Sequence, residues 1–150
     1  MAGLYSVILE EKIPKLVKER EIEYSKMDSQ TKVINIMNNV FNLGQRAEEY
    51  LYLISLDNKL NICGIFEVSH GTSNGSYCDM KSIMTRALLS GASGIILVHN
   101  HPSGETTPSG DDINITRKLD EASKFMDIEL LDHVVMGGNH YYSMKENGII

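Results

Sequence analysis

Five consecutive residues, "GIILV" at positions 94 to 98, carry no polar side chain, and the segments on either side repeat their apolar residues at helical spacing. A run this short and this apolar reads as a strand buried on both faces, and such strands sit in sheets covered by helices. Upstream, "DMKSIMTRALLSGASG" places Ile83, Met84, Ala87 and Leu88 on one helical face, with Gly91 as a stop signal. Downstream, "DINITRKLDEASKFM" places Ile115, Leu119, Ala122 and Met126 at the same spacing. A mixed central sheet flanked by helices follows, a three-layered α/β (α+β) architecture.

The other segments fit that frame. From Glu49, "EYLYLISLDNKLNICGIFEVS" gives two runs rich in aromatic and branched residues separated by "DNK", a strand hairpin. "IELLDHVVMG" and "HYYSM" read as two late strands. Before residue 45 the texture differs: the first part is charge-rich, and then Val33, Ile36, Met37, Val40 and Phe41 recur at helical spacing, with Gly44 as the expected end. The expected organisation is an N-terminal arm and helix over residues 1–44 and one domain over residues 45–150.

Length and charge narrow the function classes. A chain of 150 residues can bury roughly two-thirds of its unfolded surface around one core without staples, so a metal here would be functional rather than structural. The net charge of −6 offers no general electrostatic footprint for a nucleic-acid backbone. Two cysteines, Cys63 and Cys78, read as packing residues. With no signal-peptide pattern and no apolar run near the roughly 18 residues that span a membrane, they point to a reducing cytoplasm.

Directly after the apolar strand comes "HNHPSGETTPSGDD". His99 and His101 share one face of an extended chain, because side chains alternate with period two, so both imidazoles can point at one ion. "PSGDD" opens the next helix, with Ser109 as candidate N-cap and Asp112 three residues on. The intervening turn-rich loop can bring Asp112 back to the two rings. Two imidazoles and a carboxylate make three ligands for a tetrahedral ion with a fourth position open for water, as in catalytic zinc sites. The plainer alternative is a pair of strand-end histidines beside a capping box.

The spacing of His99, His101, Ser109 and Asp112 resembles the HxHx7SxxD motif of the JAB/MPN (JAMM) zinc metalloproteases. "HNHPSG", "TPSGDD", "LLDHVVMG", "LDNK" and "HGTSN" resemble its RadC-like branch more narrowly, over about residues 45–150. The resemblance implies an MPN/JAB fold of cytidine-deaminase-like three-layer architecture, with Zn2+ held by His99, His101 and Asp112. It also implies a glutamate as general acid/base at the start of the first core strand, where Glu49 stands, with Glu48 and Glu67 as substitutes. Ser109 corresponds to the family serine that stabilises an oxyanion or positions water. The implied activity is hydrolysis of an amide or isopeptide bond in a peptide or an isopeptide-linked protein, with no covalent intermediate and no cysteine nucleophile. The alternatives are a non-catalytic MPN-type binding module and a RadC-like DNA-repair or mobile-element accessory protein. A nucleobase deaminase is excluded by the missing HxE and PCxxC signatures. His133, inside "LLDHVVM", is expected as a buried histidine satisfied by a core hydrogen bond, and either it or Asp132 can orient a ligand. His70 and His140 are expected at the surface, and residues 70–76, "HGTSNGS", as a loop beside the cleft.

Overall fold

A computed structural model describes residues 1–71 and 79–150. Its strands are β1 (Ala2–Glu10), β2 (Ile13–Ile22), β3 (Glu49–Leu56), β4 (Ile62–Gly71), β5 (Gly94–Asn100), β6 (Glu129–Gly137) and β7 (His140–Ser143), and its helices α1 (Gln30–Phe41), α2 (Met80–Leu89) and α3 (Gly110–Phe125). The strands form one mixed sheet in the order β2-β1-β4-β3-β5-β6-β7. β5 lies between antiparallel β3 and parallel β6, and all seven of its residues are buried, as an uninterrupted apolar run requires.

The sheet divides the core in two. On one face Val33, Ile36, Met37 and Phe41 of α1 pack against Tyr52, Ile54, Ile96, Val98 and Val134. On the other, Ile83 and Ala87 of α2 and Leu119 of α3 pack against Leu51, Leu53, Ile95 and Leu97. Alternate residues of β3 and β5 thus feed opposite layers, and each fully buried Leu or Ile contributes roughly 2 kcal/mol of transfer free energy. Leu88 departs from the helical-face expectation: it is 49% exposed, and only Ile83 and Ala87 of α2 are buried. Met126, expected at the end of the apolar stripe of α3, is likewise exposed.

Two features of residues 1–44 differ from the sequence expectation. The charge-rich arm is a hairpin, β1 and β2, added to the sheet through a parallel pairing of Leu4 with Ile65. Its two-residue loop, Glu11 and Lys12, has φ of 50° and 66°, the paired positive values of a type I′ turn without the usual Asn-Gly. Gly44 does not end α1. The helix closes at Asn42, which adopts a left-handed conformation and donates its N–H to Asn38 O. Gly44 sits in a 3₁₀ turn, Leu43–Gln45, where a Cβ would lie 2.1 Å from the Gly138 carbonyl oxygen; the glycine permits its own carbonyl to accept from Gly138 N–H at 3.0 Å. This contact fixes the segment entering β3 against the end of β6.

No helix among the described residues is long and apolar enough to cross a membrane.

Candidate metal centre

Four side chains from three elements meet at the carboxyl end of β5. His99 is carried by the strand, and His101 follows one residue beyond it, its N–H bonded to Met136 O at 2.8 Å so that the chain stays alongside β6. His99 Nε2 and His101 Nε2 lie 3.0 Å apart. Asp112, in the first turn of α3, places Oδ1 3.5 Å from His99 Nε2 and Oδ2 3.4 Å from His101 Nε2. Glu49, opening β3, places Oε1 3.9 and 3.8 Å from the same two nitrogens. Donor atoms of Glu49, His99 and His101 all lie within 4.8 Å of one another, a spacing that one metal ion can bridge. Asp112 lies closer to both rings than Glu49 does.

Local sequence explains the convergence. Ser109 caps α3: its Oγ accepts from Asp112 N–H at 3.1 Å, and its own N–H donates to Asp112 Oδ2 at 2.7 Å, a reciprocal capping box. The box orients Asp112 toward the rings, so the helix cap and the cluster use one geometry. Ser109 is exposed, and because its Oγ accepts from the main chain its hydroxyl proton remains free to donate. Residues 102–108 form the turn that carries the chain from β5 back to α3, and Glu105 there accepts from His101 Nδ1–H at 2.7 Å. When neutral, His101 therefore presents a bare Nε2 to the cluster.

Two ring nitrogens facing each other at 3.0 Å need a proton or a cation between or beside them. Without metal the carboxylates supply the compensation. Burial works against ionisation of Asp112, but hydrogen bonds from the charged forms of His101 and His99 outweigh it and hold the carboxyl well below its usual range. His101 is raised above the usual imidazole value, chiefly by its hydrogen bond to Asp112, with burial opposing. A donor set of two imidazoles and two carboxylates, with charge still to be balanced, suits a divalent cation.

Glu48 and Glu67 lie away from the cluster. Glu67 Oε1 is 3.2 Å and Glu48 Oε2 4.0 Å from opposite nitrogens of His70, whose ring stacks on Tyr50 with centroids 5.0 Å apart. His70 and His140 are exposed. Cys63 is half-buried and free, and burial pushes its thiol pKa up, away from a reactive thiolate. Cys78 lies outside the described residues, as do residues 72–76 of the loop expected beside the cleft.

Sequence reasoning missed Asn100, the residue between the two histidines. It is buried, and its Oδ1 accepts from Tyr50 N–H at 2.7 Å while its Nδ2 donates to Glu48 O at 2.9 Å and Arg46 O at 3.4 Å. The side chain grips the main chain on both sides of Glu49. It was discoverable as a polar residue within a run that strand periodicity buries on the face opposite His99.

Comparison with known proteins identifies the family. Residues 27–149 match the RadC-like JAB domain family. A UPF0758 protein of Clostridium acetobutylicum is 45% identical over 103 residues, covering 69% of this chain and 45% of the relative. Another, from Clostridium perfringens, is 46% identical over 103 residues, with the same coverages of 69% and 45%. A third, from Pelobacter propionicus, is 39% identical over 110 residues, 73% of this chain and 48% of the relative. The chain thus spans under half the length of these curated relatives. Its central mixed sheet flanked by helices is that of the JAB/MPN fold, and the chain belongs to the RadC-like JAB domain family.

Proposed function

We propose that this protein is a zinc-dependent hydrolase of amide or isopeptide bonds in peptide or isopeptide-linked protein substrates. The observation that carries the reading is the convergence of His99 Nε2, His101 Nε2 and Asp112 within 3.5 Å of one another, with a second carboxylate, Glu49, beside them. His99, His101 and Asp112 would hold the ion, which supplies Lewis acidity toward a substrate carbonyl and toward water. Glu49 is the farther of the two carboxylates and remains available as a base. It takes a proton from the attacking water and delivers it to the leaving amine. Ser109, with its hydroxyl proton uncommitted, donates to the oxyanion as the carbonyl carbon becomes tetrahedral. The carboxyl end of a buried strand, at the mouth of the sheet, is where such folds leave room for a substrate. The net charge of −6 weighs against a nucleic-acid substrate, and the free, half-buried Cys63 thiol fits a reducing, cytoplasmic setting.

The test couples metal content to turnover. Native mass spectrometry after reconstitution with limiting zinc is expected to show one zinc per wild-type chain. Glu49→Gln is expected to keep that zinc and to lose cleavage of a peptide and isopeptide library by at least about a hundredfold, the scale of a removed general base. Zinc without turnover in the wild type would leave a binding module or an accessory protein in place of an enzyme. No zinc in folded wild type would remove the reading altogether.

A further inference from the structure

Behind His99 a polar chain runs into the core. His99 Nδ1 lies 2.7 Å from His133 Nε2, His133 Nδ1 lies 2.6 Å from Thr116 Oγ1, and Thr116 Oγ1 lies 2.6 Å from the main-chain oxygen of Asp112. All three side chains are buried, so these contacts account for their hydrogen bonding.

The direction of each bond follows from the innermost one. A main-chain carbonyl only accepts, so the Thr116 hydroxyl gives its one proton to Asp112 O. His133 Nδ1 must then be the donor to Thr116 Oγ1. His133 is 3% exposed and its two ring nitrogens contact only His99 and Thr116, so a charge there would be buried without a counter-ion in contact; the ring is neutral and, donating from Nδ1, carries no proton on Nε2. A bare His133 Nε2 accepts, and the only proton available to it is on His99 Nδ1. A neutral His99 ring, with its one proton on Nδ1, then leaves Nε2 bare, facing His101, Asp112 and Glu49. Without this relay the ring is free to carry its proton on Nε2, and an N–H would point at the cation position.

We propose that Thr116 and His133 are positioning residues that lock His99 in its Nδ1–H tautomer, presenting its Nε2 lone pair to a cation before any cation arrives. The metal-affinity part of this assignment rests on the reading of His99 as a ligand; the tautomer itself does not. His101 reaches the same tautomer by a different device, the Glu105 carbonyl on a surface turn. The relay also ties the two ligand-bearing elements together: Thr116 lies one turn beyond Asp112, and its hydroxyl caps the carbonyl of that ligand's own residue. Displacing α3 along its axis would therefore disturb a carboxylate ligand and an imidazole ligand at once.

The experiment is a long-range proton–nitrogen correlation spectrum of the histidine rings in the metal-free, 15N-labelled chain, recorded above the ordinary imidazole pKa of about 6.5. The expected wild-type result is a protonated Nδ1 and a bare Nε2 on both His99 and His133. Thr116→Val removes the hydroxyl and keeps the branched shape; it should abolish the single-tautomer signature of His99 and weaken zinc about tenfold in competition with a chromophoric chelator. Thr116→Ser returns the hydroxyl and should restore both. A wild-type His99 with its proton on Nε2 overturns the relay, and that spectrum decides even if Thr116→Val does not fold. Thr116→Val with unchanged tautomer and unchanged affinity overturns it too. A wild type that binds no zinc but shows Nδ1–H on His99 supports the relay and overturns the hydrolase reading instead.

Discussion

Asp132 and His133 are neighbours on β6, 4% and 3% exposed, and they face opposite layers of the molecule with opposite consequences. Asp132 points toward α1. Its Oδ1 accepts from the N–H groups of His133 and Lys145 at 2.8 and 3.1 Å, and its Oδ2 accepts from Ser143 Oγ and Gln30 Nε2 at 2.6 and 3.3 Å. Every partner belongs to the fold, and the network is closed. His133 points toward α3, and its chain of bonds ends at bare ring nitrogens and two carboxylates gathered in one place. Buried polar groups survive folding when they are satisfied. A network that ends at facing ring nitrogens and carboxylates has more acceptors than protons to share among them, and an added cation would complete it. That difference, rather than burial, separates a structural polar cluster from a candidate binding site.

Breaking the open network should cost ligand, and breaking the closed one should cost stability. The largest expected effect is Asp112→Ala. Structural zinc sites hold the ion with roughly 10–16 kcal/mol spread over four ligands, so losing one should weaken zinc at least about a hundredfold. Competition titration would measure this; in metal-free denaturation above the imidazole pKa the loss should be confined to the Asp112 half of the capping box, about 1 kcal/mol. Asp132→Ala should do the converse. It strands the Ser143 hydroxyl, the Gln30 amide and two main-chain N–H groups, at a cost of about 2 kcal/mol in denaturant titration, with one zinc per chain retained. If Asp132→Ala lost its zinc while remaining folded, the two faces of β6 would not be separable.

A middle-sized effect concerns pH, because the open network carries its own charges when no metal is bound. The Asp112 carboxyl is held low against the opposing effect of burial, so its stabilisation is present above the unfolded value of about 3.9 and is lost as pH falls through the folded one. His101 is raised by its hydrogen bond to Asp112, so its stabilisation is present below the unfolded value of about 6.5 and is lost as pH rises through the folded one. Both hold together between those two values. Asp112→Asn should therefore lower the metal-free Tm most in that window, by about 3 °C, the shift that about 1 kcal/mol produces in a domain of this size. The gap should narrow toward pH 8. Zinc affinity of the wild type should run the other way and rise with pH, since protons compete for the same nitrogens. A Tm difference constant across the range would mean that the ion pair is absent from the metal-free protein.

How far the sequence shows this depends on whether each residue's role is local. β5 is legible because an unbroken apolar run has one stable setting, and the helices because their apolar stripes recur. The capping box of Ser109 and Asp112 is legible because both partners lie within one turn. The β1–β2 hairpin is not: most of β2 is exposed and half of its residues are charged, as the outer strand of a sheet can be, and its turn uses Glu11 and Lys12 where Asn-Gly would have signalled it. Leu88 misleads because it extends an apolar stripe past the end of the covered surface. Thr116 and the true role of Gly44 depend on partners distant in sequence, His133 and Gly138, which no periodicity announces.

Asn100 gives the smallest expected effect and the sharpest test of the distinction, because it is a closed network placed at the open site. It lies on the α1 side of β5, as Asp132 does on β6, and its three hydrogen bonds go to main-chain atoms at Arg46, Glu48 and Tyr50. It touches none of the clustered side chains, yet it holds both peptide units that flank Glu49. Asn100→Ala should leave Tyr50 N–H unpaired within a strand otherwise bonded through its ladder, so exchange of that single amide should quicken by about tenfold, the equivalent of about 1.4 kcal/mol of local opening. The amides of Leu53 and Leu97, deeper in the same pairing, should be unaffected. Zinc affinity should stay near wild type, because His99, His101 and Asp112 are held by other bonds, whereas any hydrolysis that needs Glu49 in place should fall. Faster exchange with full activity would show that Glu49 is held by β3 alone; slowed hydrolysis with zinc retained would show that a closed network can serve the reaction without touching it.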